Sequence, residues 1–368
     1  MRITRIDIYK YSVKLKEAFV TSLGRHEYAE NVAVLISTET GIKGAGECSP
    51  FMTINGESAE TCFVVAHYLA KTLHGKDPLK VEECSGLMDA VIYGNASIKS
   101  AFDIALHDIA SQHAGLPLYT FLGGNNKKPL VTDYTVSIGE VDKMAMDAAE
   151  IKRKGFQSIK VKLGREKDKD VERIRAIRKA IGNETPLRID ANQGWNTETA
   201  IATLKALAPY NIQYCEEPVP RWDFMELPRI KKESSIPVMA DESCCDHHDA
   251  KRLIGLQACD LFNIKLGKSS GFFKAKKIIA LAERAGIKMQ VGGFLESRLG
   301  FTASAHLALT SDEVLYCDFD TPLMFEEDPV VGGITYDNNG VVRMPDTPGL
   351  GAILDEKFLE RQQKSVIE

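Results

Sequence analysis

Between about residues 130 and 320 the chain alternates short apolar segments with amphipathic ones eight times, a rhythm that few folds accommodate. The apolar segments are LVTDYTVSI (130–138), SIKVKL (158–163), LRIDA (187–191), IQYCEE (212–217), VMADE (238–242), LFNIKL (261–266), KMQVGG (288–293) and VLYCDFD (314–320). Stretches of helical period separate them, among them KMAMDAAEIKRK, DVERIRAIRKAI and FKAKKIIALAERA. Strict alternation of strand and helix implies a parallel sheet with helical crossovers. Eight units in so short a span fit a closed barrel better than an open sheet. Pro322 and a Gly-rich tail follow the eighth strand in place of a helix. The expected fold is therefore α/β, a modified TIM barrel of (β/α)7β type over residues 126–324. Residues 1–125 mix strands (ITRIDIYKYSV, VAVLISTETG) with helical stretches near 58–73 and 97–114, which suggests a separate α+β domain, completed by the tail 325–368.

Barrel strands are buried on both faces, so a charge at a strand end needs a reason. Lys162, Asp190, Glu216, Asp241 and Lys265 follow one another at intervals of 28, 26, 25 and 24 residues, one strand–helix unit each. Each falls at the C-terminal end of its strand, where barrels build their active sites. Three converging carboxylates repel one another unless a cation lies between them. An all-oxygen set of that size suits Mg2+, one per subunit. A lysine on either side would reach opposite faces of a substrate carbon, to take a proton from one face and return one to the other. Burial, a second ammonium and a divalent ion would each lower a lysine toward the range of a useful base. The ion would stabilise the enediolate formed from a substrate carboxylate.

Composition removes other classes. Charged residues make 26% of the chain and hydrophobic ones 44%, as in ordinary globular proteins, and the net charge of −5 argues against a nucleic-acid partner. No apolar run is long enough for a membrane span, and the charged N-terminus reads as a strand rather than a signal peptide. Eight cysteines without a CxxC pair fit reduced thiols in the cytoplasm. Asp246-His247-His248-Asp249 is read as a helix cap with an exposed first turn, not a second metal site. Gly267-Lys268-Ser269 lacks the first glycine of a phosphate loop.

The motifs KVK (160–162), RIDANQGW, CEEP, MADES and NIKLGK together resemble the enolase superfamily, and within it the muconate-lactonizing subgroup. The likeness spans essentially the whole chain and includes GECSPF (46–51) and LPLYTFLGG (116–124) in the first domain, which it makes a cap over the barrel. It implies an isomerase in which Lys162 and Lys265 are the catalytic pair and Asp190, Glu216 and Asp241 hold the metal.

Asp318 and Asp320 select among the subgroup's reactions. Two residues apart on a strand, they face the same way. An acidic pair at the barrel mouth suits a free ammonium and resembles the DxD motif of the dipeptide epimerases. The resemblance further implies that Thr135 contacts substrate and that Lys160 helps bind its carboxylate. Gly293 and Leu295 would contact the peptide through their backbones, and the loops 21–26 and 51–55 would close over it. The implied reaction inverts the C-terminal α-carbon of an alanine-containing dipeptide, with alanyl-alanine and alanyl-glutamate as the candidates. Arg25 is the candidate to receive a glutamate side chain. The implied setting is the metabolism of peptidoglycan dipeptides, and a homo-oligomer is compatible with it. The competing readings are a cycloisomerase, an o-succinylbenzoate synthase or an N-acyl amino acid racemase of the same subgroup. From other classes come a Schiff-base aldolase and a non-catalytic metal scaffold.

Overall fold

The computed structural model describes residues 1–368. A cap opens the chain. Strands β1 (Ile3–Val20), β2 (Arg25–Thr38) and β3 (Lys43–Cys48) form an antiparallel sheet, followed by helices α1 (Ala59–Leu73), α2 (Val81–Val91), α3 (Ala96–His113) and the short α4 (Leu118–Phe121). Ser58 starts α1 by accepting from the Thr61 amide, while the Thr61 hydroxyl accepts from the Ser58 amide. Gly44 and Gly46 allow β3 and α3 to touch, since a Cβ at either would overlap the carbonyl of Ala105 or Ala101.

The barrel follows. After β4 (Leu130–Val131) and β5 (Tyr134–Val136) come α5 (Val141–Arg153), β6 (Ile159–Lys162), α6 (Lys167–Ile181), β7 (Leu187–Asp190), α7 (Thr197–Leu207) and β8 (Ile212–Glu216). The second half holds α8 (Leu227–Glu233), β9 (Val238–Ala240), α9 (His247–Leu256), β10 (Leu261–Lys265), α10 (Leu266–Ser269), α11 (Phe272–Ala285), β11 (Lys288–Gly292), α12 (Arg298–Ala308) and β12 (Val314–Cys317). Strands β5 to β12 form one eight-stranded parallel sheet in sequence order, and a bridge between Thr132 and Cys317 joins its two ends. The modified (β/α)7β barrel with an N-terminal α+β cap is therefore the fold. No helix replaces the missing eighth crossover, only a 3-10 turn at Thr321–Met324. No helix is long and apolar enough to cross a membrane.

Strands β13 (Val330–Gly332) to β17 (Gln363–Ile367) lie in the tail. The last pairs antiparallel with β1, and Leu15 bridges Phe325. The segment expected as one strand at 130–138 is two. Val131 and Leu130 pair with tail residues Val341 and Val342, the Thr132 amide donates to the tail's Gly340 carbonyl, and the Asp133 carboxylate accepts from Arg188 at 2.7 Å. Asp246 caps α9 through the amides of His248 and Asp249, as expected.

His306 joins three parts of the molecule. On α12, its Nδ1 accepts from the Tyr119 amide of α4 and its Nε2 donates to the Leu350 carbonyl of the tail, both at 3.0 Å. Burial pushes this imidazole down to about 4 from 6.5. The unfolded chain therefore takes up a proton that the folded one refuses, so this contribution is complete above pH 6.5 and is lost as pH falls toward 4. A drop of that size is worth up to about 3 kcal/mol. His306→Gln retains one donor and one acceptor but does not titrate. Urea unfolding of the variant is expected to lose about 2–3 kcal/mol less than the native chain between pH 7 and pH 4.5; parallel losses would show that His306 does not carry this dependence.

Candidate active site

Lys162, Asp190, Glu216 and Lys265 are the last residues of β6, β7, β8 and β10, and Asp241 lies one position past β9. Parallel pairing aligns them, with Lys162 beside Asp190 and Asp190 beside Glu216. Residues of alternate parity, such as Val161 and Ile189, belong to the apolar core. The inward layer is polar instead: Lys160, Arg188, Asn263 and Gln290 are all buried. The three carboxylates are fully enclosed, and the two lysines are about 95% so.

The lysines sit against different carboxylates. Lys162 Nζ is 2.7 Å from Asp190 Oδ2, and Lys265 Nζ is 2.7 Å from Asp241 Oδ2. The second contact is one of charge alone, since neither Asp241 oxygen has an aligned hydrogen-bond partner. Lys160 Nζ lies 3.2 Å from Asp190, 2.8 Å from Glu216 and 2.8 Å from Asp318. Asn263 donates to Glu216 Oε1 at 2.8 Å. Lys268 donates to the carbonyls of Asp241, Cys244 and Asn263 and lies 3.1 Å from Asp241 Oδ1. Lys268 carries no sequence signal of a role at the site, because its contacts are carbonyls brought in by the turn after β9 and by β10.

Charge in this layer is finely divided. Burial works against ionised Asp241, yet Lys265 and Lys268 hold it well below the usual range. Burial and Asp190 push Glu216 up to about 7, and burial does the same to Glu217, whose oxygens take the Asp241 amide and the Ser243 hydroxyl. Lys265 departs from expectation. Burial lowers it, but Asp241 and Glu216 outweigh burial and hold it above the ordinary lysine value.

Above this layer is a cavity lined by Thr135, Lys162, Asn192, Lys265, Gly293, Asp318, Asp320 and Thr321, with Phe19, Thr21, Leu23, Phe51, Ile54 and Phe294 as its further wall. Asp318 and Asp320 lie just past the end of β12, not within it, and both face the cavity. Phe51 stacks on Phe294 at 5.4 Å, and Lys265 Nζ is 4.8 Å from the Phe294 ring. Ser22 donates to the Asn192 carbonyl at 2.6 Å, tying the cap's first loop to the barrel. The sequence anticipated the cap loops but not Phe19, Phe294 or Thr321, which carry no motif of their own.

Three residues expected at the substrate do not line this cavity. Lys160 lies wholly within the acid layer, where its charge is spent on three carboxylates, and it does not line the cavity. The Leu295 amide donates to Ser49 and its carbonyl accepts from Asn31, so both backbone groups are already engaged. Arg25 is exposed, pairs with Glu27 at 3.2 Å and faces an adjoining groove between β1 and α5, which shares Phe19 and Thr135 with the cavity. Asp133 was missed. Its oxygens, with those of Asp318 and Asp320, form a trio within 4.8 Å of one another.

The profile of the mandelate racemase / muconate lactonizing enzyme N-terminal domain matches residues 3–123, and that of the enolase C-terminal domain-like family matches residues 143–358. The chain is 59% identical to the D-Ala-D/L-Ala epimerase of Cytophaga hutchinsonii over the whole of both proteins. It is 38% identical to the L-Ala-D/L-Glu epimerase of Bacillus subtilis over 96% of this chain and 97% of that one. The crystal structure of the dipeptide epimerase from Cytophaga hutchinsonii complexed with Mg and D-Ala-L-Val superimposes with a TM-score of 0.99 over the full length of both chains.

Removing the shared ammonium tests the charge balance of this layer. Lys160→Met is expected to destabilise the protein by about 3–5 kcal/mol at pH 7, as for a broken buried ion pair. Part of that loss should return at pH 5, where the orphaned carboxylates take up protons. Thermal unfolding at both pH values would measure it; a neutral substitution would refute the balance described.

Proposed function

The chain belongs to the mandelate racemase / muconate lactonizing enzyme family of the enolase superfamily, and from that premise we propose that it is a Mg2+-dependent dipeptide epimerase. The observation that carries this reading is two lysines against different carboxylates in one cavity whose wall also holds an acidic pair. Two amines serve a 1,1-proton transfer, and an acidic pair serves a substrate with a free amino group.

The residues fit a divalent cation. Asp190, Glu216 and Asp241 offer only oxygen donors, and both side-chain oxygens of buried Asp241 lack hydrogen-bond partners. Asp133, Asp318 and Asp320 converge more closely, but Asp133 does not reach the cavity, and Asp318 and Asp320 are the pair that faces the substrate's amino end. Bound by the first set, Mg2+ would polarise the substrate carboxylate and so acidify the neighbouring α-proton. Lys162 or Lys265 removes that proton and the other lysine returns one to the opposite face. Asp318 and Asp320 hold the ammonium. Phe19, Phe51 and Phe294 shut out water around the lysines.

The same wall favours apolar side chains. Leu23, Phe51, Ile54 and Phe294 face the cavity, and Arg25 does not. This supports alanyl-alanine and related apolar dipeptides over alanyl-glutamate, in keeping with the Cytophaga relative. The cytoplasm is the compartment proposed, since all eight cysteines are unpaired.

Mass spectrometry of dipeptides incubated with the protein and Mg2+ in D2O tests the reaction. Ala-Ala and Ala-Val should each gain one deuteron at the C-terminal α-carbon, and EDTA should abolish the gain. Lys162→Ala and Lys265→Ala should each lose epimerisation by at least a thousandfold while still binding Mg2+; turnover in either would exclude the two-lysine mechanism. Arg25→Ala should leave kcat/KM for Ala-Ala within about twofold, and a large loss would return Arg25 to the site.

A further inference from the structure

Asp133 has no exposed surface, and its Oδ1 has no hydrogen-bond partner. Its other oxygen accepts from Arg188 Nη1 at 2.7 Å. Asp318 and Asp320 bring carboxylate oxygens within 4.8 Å of it. Three carboxylates thus meet two cations, and one of these, Lys160, is shared with Asp190 and Glu216. Asp320 has no cation partner and accepts from the Thr135 amide at 2.6 Å. Three like charges so close and so dry do not all ionise without a further cation.

Two further cations, Lys162 and Lys265, act on Asp318, but neither is in ion-pair contact with the trio. Tyr214 faces Asp133 from β8, and Tyr134 and Tyr336 face Asp320. Burial and the neighbouring carboxylates raise Asp133 well above the ordinary aspartate value and bring Asp320 to about 7. Lys160 holds Asp318 down at about 2 against burial.

We propose that Asp133, Asp318 and Asp320 share one proton when no substrate is bound, and that the arriving substrate ammonium expels it to solvent. This rests on the reading that Asp318 and Asp320 receive the dipeptide's amino group. Asp133, which does not touch the cavity, is then a positioning residue. Its charge keeps the proton on the trio until a cation replaces it, so recognition of a free amine becomes an exchange of one positive charge for another. A ligand that brings no ammonium cannot complete that exchange.

Calorimetric titration of the Mg2+-loaded protein at pH 6.5, in buffers of different ionisation enthalpy, counts the protons released. Ala-Ala is expected to release close to one proton per site, whereas N-acetylalanine, with the same carboxylate but no ammonium, releases essentially none. In Asp133→Asn the remaining pair meets its charge with Lys160, and release on Ala-Ala binding should fall below about 0.3. An undiminished release in that variant, or none in the native protein, overturns the proposal. If Asp133→Asn does not fold, Arg188→Gln serves, because losing that cation tightens the shared proton and should move the release to higher pH; an unmoved profile is likewise refuting. Ala-Ala that neither binds nor is labelled in D2O would instead refute the epimerase reading itself.

Discussion

The ammonium of Lys160, sealed inside the barrel, is the interaction on which the site depends. A lone buried charge of this kind would cost several kcal/mol. Here it is met by Asp190, Glu216 and Asp318, contributed by β7, β8 and the end of β12. No two of these are neighbours in sequence, so the ion cluster is satisfied only in the closed barrel. Polar contacts continue from it around the interior. Gln290 donates toward Glu216 and accepts from Tyr214, whose ring lies 5.9 Å from Arg188, and Arg188 returns to Asp133. The strand ends are thereby held at fixed distances before any ligand arrives, which is the pre-organisation catalysis needs.

Above this polar floor the cap supplies what the barrel lacks. Apart from Phe294, the wall of the cavity is apolar mainly through Phe19, Leu23, Phe51 and Ile54, all from the cap. Glu47 on β3 fastens the two parts. It accepts from Tyr11 and Asn31 of the cap and from the Ser297 and Gly300 amides at the start of α12. Burial pushes its carboxyl up while those donors pull it down. The short loop after β11 is caught between these bonds, which sets Phe294 against both Phe51 and Lys265. Proton chemistry and side-chain selection therefore come from different domains, and the apolar cap can vary without disturbing the charge cluster.

Strand–helix alternation made the barrel legible, and the absence of an eighth helix could be read from Pro322 and the glycines after it. The regular spacing of Lys162, Asp190, Glu216, Asp241 and Lys265 identified the strand ends because a charge in a doubly buried strand has so few tolerable places. Less was visible where contacts come from distant segments. The break at Thr132 and Asp133 goes with backbone pairing to the distant tail, which has no local signal. Leu295 and Arg25 do not line the cavity for a related reason: the partners that engage them, Ser49, Asn31 and Glu27, are set by loop register rather than by motif.

The barrel, its missing crossover and the charges that crowd its mouth were already written in the order of residues, because they follow from periodicity and from the cost of burying unpaired charge. Which charge meets which emerged with folding. Lys160 proved to be a shared counter-ion under the site, and Lys265 proved to face Asp241 while Lys162 faces Asp190. Asp133 proved to be the third member of an acidic trio. Each of these depends on Coulomb interactions over a few ångströms between residues separated by tens to hundreds of positions. Such distances exist only once the barrel has closed.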